Sequence, residues 1–144
     1  MKLAKMGIAA IALIGATAVP LSISTPANAA SCGGSRIEHI AVNSGGSTYG
    51  YLDVYYSSST GRNCARLDRV VNYGTKKGMI LQLWACQPGS NPCGQLDYES
   101  DSGQFGQYAG PVSVYGKGRC IQVQGSVQDA SDNWANLTTP IFHC

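Results

Sequence analysis

Residues 108–127, YAGPVSVYGKGRCIQVQGSV, set two alternating apolar runs on either side of a Gly-Lys-Gly turn. Val112 and Val114 precede the turn, and Ile121, Val123 and Val127 follow it. Their mostly alternate spacing is the period of an extended chain with one face toward a core. Gly116, Lys117 and Gly118 supply the turn chemistry. The pattern predicts a β-hairpin with Cys120 just inside its second strand.

The same signature recurs on both sides of this stretch. Ser31 to Ser35 is a Gly-Ser lead-in around Cys32, and Arg36 to Val42 is a predicted strand with Ile37, Ile40 and Val42 available to the core. Asn43 to Ser47 has the composition of a turn. Thr48 to Ser57, TYGYLDVYYS, places Tyr49, Tyr51, Asp53 and Tyr55 on one face and Leu52, Val54 and Tyr56 on the other. Ala65, Leu67, Val70 and Val71 predict a strand that pairs back on it. Met79 to Cys86, MILQLWAC, is the most apolar segment beyond the N-terminal run and is read as a buried central strand. Gln87 to Gly94, QPGSNPCG, must be a loop, with Cys86 and Cys93 at its ends. Tyr98 to Gly106 is polar and acidic, and Gln128 to Asn136 reads as a polar loop carrying Trp134. A last segment, Leu137 to Cys144, ends on a cysteine that can tie it to the fold. With no helical i, i+3, i+4 repeat past the N-terminal run, the expected fold class is all-β: a small disulfide-stapled antiparallel sandwich or barrel.

The N-terminus indicates export. Lys2 and Lys5 precede an apolar run from Met6 to Val19, Pro20 breaks it, and Ala27-Asn28-Ala29 offers small residues for cleavage. Residues 1–29 are therefore expected to be a signal peptide and residues 30–144 a single secreted β domain. The apolar run is shorter than the ~18 residues of a membrane span, so a membrane-spanning chain is not expected. Cys32 follows Ala29-Ala30-Ser31, as in a lipid-anchored precursor. Ala29 nevertheless stands where such precursors carry a large aliphatic residue, and acylation would leave an odd number of cysteines.

All six cysteines, Cys32, Cys64, Cys86, Cys93, Cys120 and Cys144, lie beyond that segment, the arithmetic of a disulfide framework. Their spacing contains no Cys-x-x-Cys pair, which argues against a metal centre. Fifteen connectivities are open. We favour Cys32 to Cys64, Cys86 to Cys93 and Cys120 to Cys144, because each closes a local loop. Without Lys2 and Lys5 the basic count falls from 10 to 8, against 8 acidic residues. A neutral domain has no electrostatic case for nucleic acid as a partner.

Chemistry is sparse. Only His39 and His143 could act as a general base, and no nucleophile-elbow, zinc-protease or phosphate-loop motif occurs. Asp97, Glu99 and Asp101 alternate and would share one strand face, but their Gly and Ser neighbours favour a solvated loop. No catalytic residue, cofactor or metal ligand is assigned. The better clue is aromatic: Tyr49, Tyr51 and Tyr55 form a candidate binding face, since rings with polar tips suit sugar or protein surfaces.

The segments SCGGS at 31–35, DVYYSSSTGRNCA at 53–65, YAGPVSVYGKGRC at 108–120 and the terminal HC together resemble the spore-associated protein A family, small secreted proteins of filamentous actinomycetes. The resemblance runs from Cys32 to Cys144 and is most specific at Tyr55 to Ala65 and Tyr108 to Cys120. It implies an extracellular protein of the spore or mycelial surface and brings no catalytic residues with it. The expected function is noncatalytic association with that surface, as a monomer whose partner is a cell-wall or spore-surface polymer or protein. The alternative is a secreted inhibitor or toxin-like effector that presents the Cys86 to Cys93 loop to another protein.

Overall fold

The computed structural model describes residues 31–144, so the expected signal peptide, residues 1–29, lies outside the described residues. Eight strands and no helix are found among them: β1 (Ser35–Ser44), β2 (Ser47–Ser57), β3 (Arg62–Arg69), β4 (Lys77–Cys86), β5 (Gln95–Phe105), β6 (Tyr108–Tyr115), β7 (Cys120–Gln128) and β8 (Trp134–Thr138). They form two antiparallel four-stranded sheets, ordered β1-β2-β3-β6 and β5-β4-β7-β8. Neither sheet closes on itself, so the architecture is a sandwich and not a barrel. No helix among the described residues is long and apolar enough to cross a membrane.

Period-2 alternation explains the core. Val42, Leu52, Val54 and Leu67 from the first sheet meet Met79, Leu81, Leu83, Ile121, Val123 and Val127 from the second, all fully buried. Each such side chain contributes about 1.5–3 kcal/mol through removal from water. β4 lies inside its sheet between β5 and β7, as its apolar sequence requires.

The predicted hairpin at 108–127 is corrected. β6 and β7 do not pair with each other: β6 pairs with β3 in the first sheet, and β7 with β4 in the second. The Gly116–Arg119 turn is instead a bridge from one sheet to the other, held by Gly116 and Lys117 N–H groups donating to Gly61 O at 2.9 and 3.0 Å. Alternation reports which face is buried, and it is identical whether the next strand lies beside the first or across the core.

The acidic segment is corrected as well. Residues 98–106 are not a solvated loop but most of β5, with Glu99 opposite Leu83 and Asp101 opposite Leu81. The three carboxylates reach across the open side of the sandwich to the unpaired edge of β6. Asp101 Oδ2 accepts from Gly110 N at 2.7 Å, Glu99 Oε2 accepts from Ser113 N, and Asp97 Oδ2 accepts from Tyr115 N at 3.1 Å. Carboxylates thus satisfy the edge amides that a further strand would otherwise satisfy, and this protects the edge against pairing with other chains.

Disulfides join Cys32 to Cys64, Cys86 to Cys93 and Cys120 to Cys144. The last brings the C-terminal segment back to β7, where Ile121 and Phe142 exchange two backbone hydrogen bonds of 2.8 and 2.9 Å. At the opposite end of the sandwich Arg69, almost fully buried, donates to the carbonyls of Val71, Gln128 and Gly78. Its guanidinium pKa is lowered by burial, and its Nε has no partner. Arg69 ends β3 of the first sheet while Gly78 and Gln128 belong to the second, so one buried cation fastens that end.

Candidate functional site

The outer face of the first sheet gathers the polar and aromatic side chains that the core leaves over. Register places them in three rows across the strands. Ala41, Tyr51, Asp68 and Tyr108 form one row, His39, Asp53 and Arg66 the next, and Arg36, Tyr55, Cys64 and Ser113 the third.

Asp53 sits at the centre, only 9% exposed although it faces outward. Its Oδ1 accepts from His39 Nδ1 at 2.7 Å and from Arg36 Nη1 at 3.3 Å. Because an ionised carboxylate only accepts, this contact selects the Nδ1-protonated ring. Held so, the His39 imidazole lies flat on the Tyr51 ring, with centroids 4.6 Å apart and planes 12° from parallel. One strand over, Arg66 sends Nε and Nη2 to Asp68 Oδ1 at 3.0 and 2.6 Å and lays its guanidinium over the Tyr108 ring at 4.3 Å. Both stacks are therefore fixed by hydrogen bonds to a carboxylate. Planar groups held this way lose little conformational freedom when a ligand settles on them.

The three predicted tyrosines divide. Tyr51 and Tyr55 are half-buried members of this face. Tyr49 is not: a register shift between Val42 and Asn43 leaves it without a partner on β1, and its side chain joins the core cluster. The single extra residue reverses the alternation at that point. Its hydroxyl donates to Asp129 Oδ2 at 3.0 Å instead of facing a ligand. The face is built from Tyr51 and Tyr55 with His39, Asp53, Arg66 and Tyr108. His39, weighed in the sequence only as a candidate base, and Arg66, which looks isolated there, both fall on the outward parity of their own strands.

Among the described residues no group of three His, Cys, Asp or Glu side chains could hold a metal ion. The face offers aromatic surface and paired charges, the equipment for recognition by contact. A second feature at the end of the sandwich is a cleft of about 300 Å³ between Tyr56, Asn63 and the Gly116–Arg119 bridge, with His143 and Cys144 on its rim.

The chain matches no family model and no solved structure. It is similar, at 26% identity over 128 residues, covering 83% of this chain and 78% of the relative, to a protein of Streptomyces coelicolor named Spore-associated protein A.

Proposed function

We propose that this chain is a noncatalytic secreted protein that associates with the spore or mycelial surface by binding wall polymer through the outer face of the first sheet. The observation that carries this reading is the pair of fixed stacks, Tyr51 with His39 and Tyr108 with Arg66, each locked by a carboxylate on a surface where the core does not need them. Aromatic and arginine groups concentrate binding energy wherever they are fixed and accessible. The name of the Streptomyces coelicolor relative agrees with a spore-associated role, and three disulfides suit an oxidising, extracellular setting.

The test is retention of the oxidised protein, residues 30–144, on isolated spore and mycelial walls of a sporulating actinomycete. Saturable binding is expected, with Tyr51→Ala and Tyr55→Ala each weakening it about tenfold while the near-ultraviolet circular dichroism is preserved. Wild-type protein that passes through every wall fraction would overturn the reading.

One observation favours the effector alternative. The 87–93 loop is exposed yet rigid, closed by Cys86–Cys93 and by Gln87 N donating to Gly94 O at 2.8 Å, with Ser90 Oγ donating to Gln87 O at 2.6 Å. A partner bound through this loop would be lost when the loop is cleaved between Gly89 and Asn91, whereas wall retention would survive.

A further inference from the structure

The second sheet has a different outer face. Met79, Leu81, Leu83 and Ala85 fill the core, so Ile80, Gln82 and Trp84 of β4 point outward. Beside them register sets Tyr98, Ser100 and Ser102 of β5 and Gln122, Gln124 and Ser126 of β7, and β8 adds Asn136 and Thr138. None of these residues is charged. The charged residues that the four strands do contain are turned elsewhere: Asp97, Glu99 and Asp101 to the β6 edge, and Lys77 to Asp132 at 2.8 Å. On the first sheet, by contrast, the outer face carries Arg36, Asp53, Arg66 and Asp68.

Both tryptophans of the described chain belong to this uncharged face. Trp84 packs against Tyr98, with centroids 5.4 Å apart, and Gln82 Nε2 donates to the Tyr98 hydroxyl at 2.8 Å, which steadies the ring. Trp134 lies at the other end over the Cα of Gly78, where an added Cβ would come within 2.4 Å of the indole. Tyr98 is 40% exposed and Trp134 37%. From Gly78 to Trp84 the strand advances roughly 20 Å at its usual rise. Two aromatic platforms therefore stand at the ends of a track lined by amides and hydroxyls. Beyond Gln122 the track runs into a groove of about 470 Å³ between the stapled loop and the C-terminal segment, bordered by Ser90, Asn91, Pro92, Pro140 and Ile141. No charged side chain lines the groove either.

We propose that this face and its groove bind an uncharged polysaccharide strand several sugar units long. The chemistry matches at each point. The C–H faces of sugar rings pack on exposed aromatic rings, sugar hydroxyls exchange hydrogen bonds with Gln, Ser, Asn and Thr side chains, and an uncharged polymer leaves no buried charge unpaired. A charged polymer would find no counter-charge here. This site is separate from the proposed wall-binding face and lies on the opposite side of the sandwich.

Because both tryptophans are on the track, their emission reports on it directly. The intact oxidised protein is titrated with soluble hexamers of β-1,4-linked glucose and of β-1,4-linked N-acetylglucosamine, with a polygalacturonate hexamer as a charged comparison. A saturable change in emission is expected with at least one uncharged hexamer and should persist in 1 M NaCl, where screening abolishes surface charge effects. Trp84→Ala, Tyr98→Ala and Gln82→Ala should each weaken it more than fivefold, and Tyr51→Ala should leave it unchanged. Three results overturn the proposal: no emission change with either uncharged hexamer at millimolar concentration, a response confined to the charged hexamer and lost in salt, or affinity unaltered by all three track substitutions. None of these outcomes depends on whether the first-sheet face retains walls.

Discussion

Tyr49 and Asp129 tie the two sheets together at one corner: the β2 hydroxyl donates at 3.0 Å to the carboxylate that closes the turn after β7. The same carboxylate accepts from Ser131 N at 2.8 Å, Asn133 N at 2.9 Å and Asn133 Nδ2 at 3.1 Å. The Asn133 side-chain bond contributes most to holding the Asp129 pKa below its ordinary 3.8, against the opposing effect of burial, with the backbone donors and Tyr49 adding to it. The Tyr49 pKa is raised above 10.0, chiefly by the hydrogen bond to Asp129 and further by burial and the carboxylate charge.

These opposite shifts predict a stability window. The depressed Asp129 pKa adds stability that is present above 3.8 and lost as pH falls through the folded value. The raised Tyr49 pKa adds stability that is complete below 10.0 and lost as pH climbs through the folded value. Tyr49→Phe should therefore lower the urea midpoint between these limits, and its gap to wild type should narrow as pH falls through the folded Asp129 value or climbs through the folded Tyr49 value. A difference between the two proteins that stays constant from pH 2 to 12 would contradict the linkage.

The carboxylate row predicts a protected edge. Asp101→Ala removes the acceptor of Gly110 N–H and should cost about 1.5–3 kcal/mol, the range for a hydrogen bond to a charged group. Replacing Asp97, Glu99 and Asp101 together by Ala should speed hydrogen exchange at Gly110, Ser113 and Tyr115 and promote association through the exposed β6 edge. Exchange measured by NMR and light scattering check both. Unchanged exchange at all three amides would show that the edge is closed by something else.

That row also marks how far the sequence could be read. Alternation in Thr48 to Ser57 revealed inward residues such as Leu52 and Val54, and the apolar run Met79 to Cys86 marked a buried strand, because hydrophobic patterning is a local property. Which strand neighbours which is nonlocal, and so the 108–127 stretch looked like a hairpin although its halves lie in different sheets. The Tyr49 bulge was hidden because one extra residue on β2 is defined only by the register of β1. Asp97, Glu99 and Asp101 looked solvated since the amides they serve are on another strand. Trp84 could have been found: in MILQLWAC, Gln82 marks the outward parity, and Trp84 shares it.

The three disulfides should rank by loop length. Chain entropy gives about 2.5 kcal/mol for Cys86–Cys93, separated by 7 residues, and about 3.5 kcal/mol for Cys120–Cys144, separated by 24. Cys32–Cys64, separated by 32, should contribute slightly more. Paired Cys→Ala substitutions followed by urea unfolding give the order directly. If Cys86→Ala/Cys93→Ala were the most damaging pair, the stapled loop would be supporting the core rather than standing outside it.

Of the glycines in the second sheet, Gly78 lies most tightly under an aromatic ring. Its N–H donates to Gln128 Oε1 at 3.0 Å, and Trp134 covers its Cα. A methyl group there would sit 2.4 Å from Trp134 Cη2 and 2.9 Å from Gln128 Oε1, so the indole must swing away from the sheet. Gly78→Ala should cost about 1–3 kcal/mol through overpacking and shift Trp134 emission to the red as the ring enters water. In a Trp84→Phe background the emission comes from Trp134 alone, which makes the shift unambiguous. Gly33→Ala, where nothing lies within 4 Å of the added carbon, should change neither stability nor emission. An unshifted Gly78→Ala spectrum would mean that Trp134 does not rest on β4, and the track on the second sheet would lose one of its two aromatic ends.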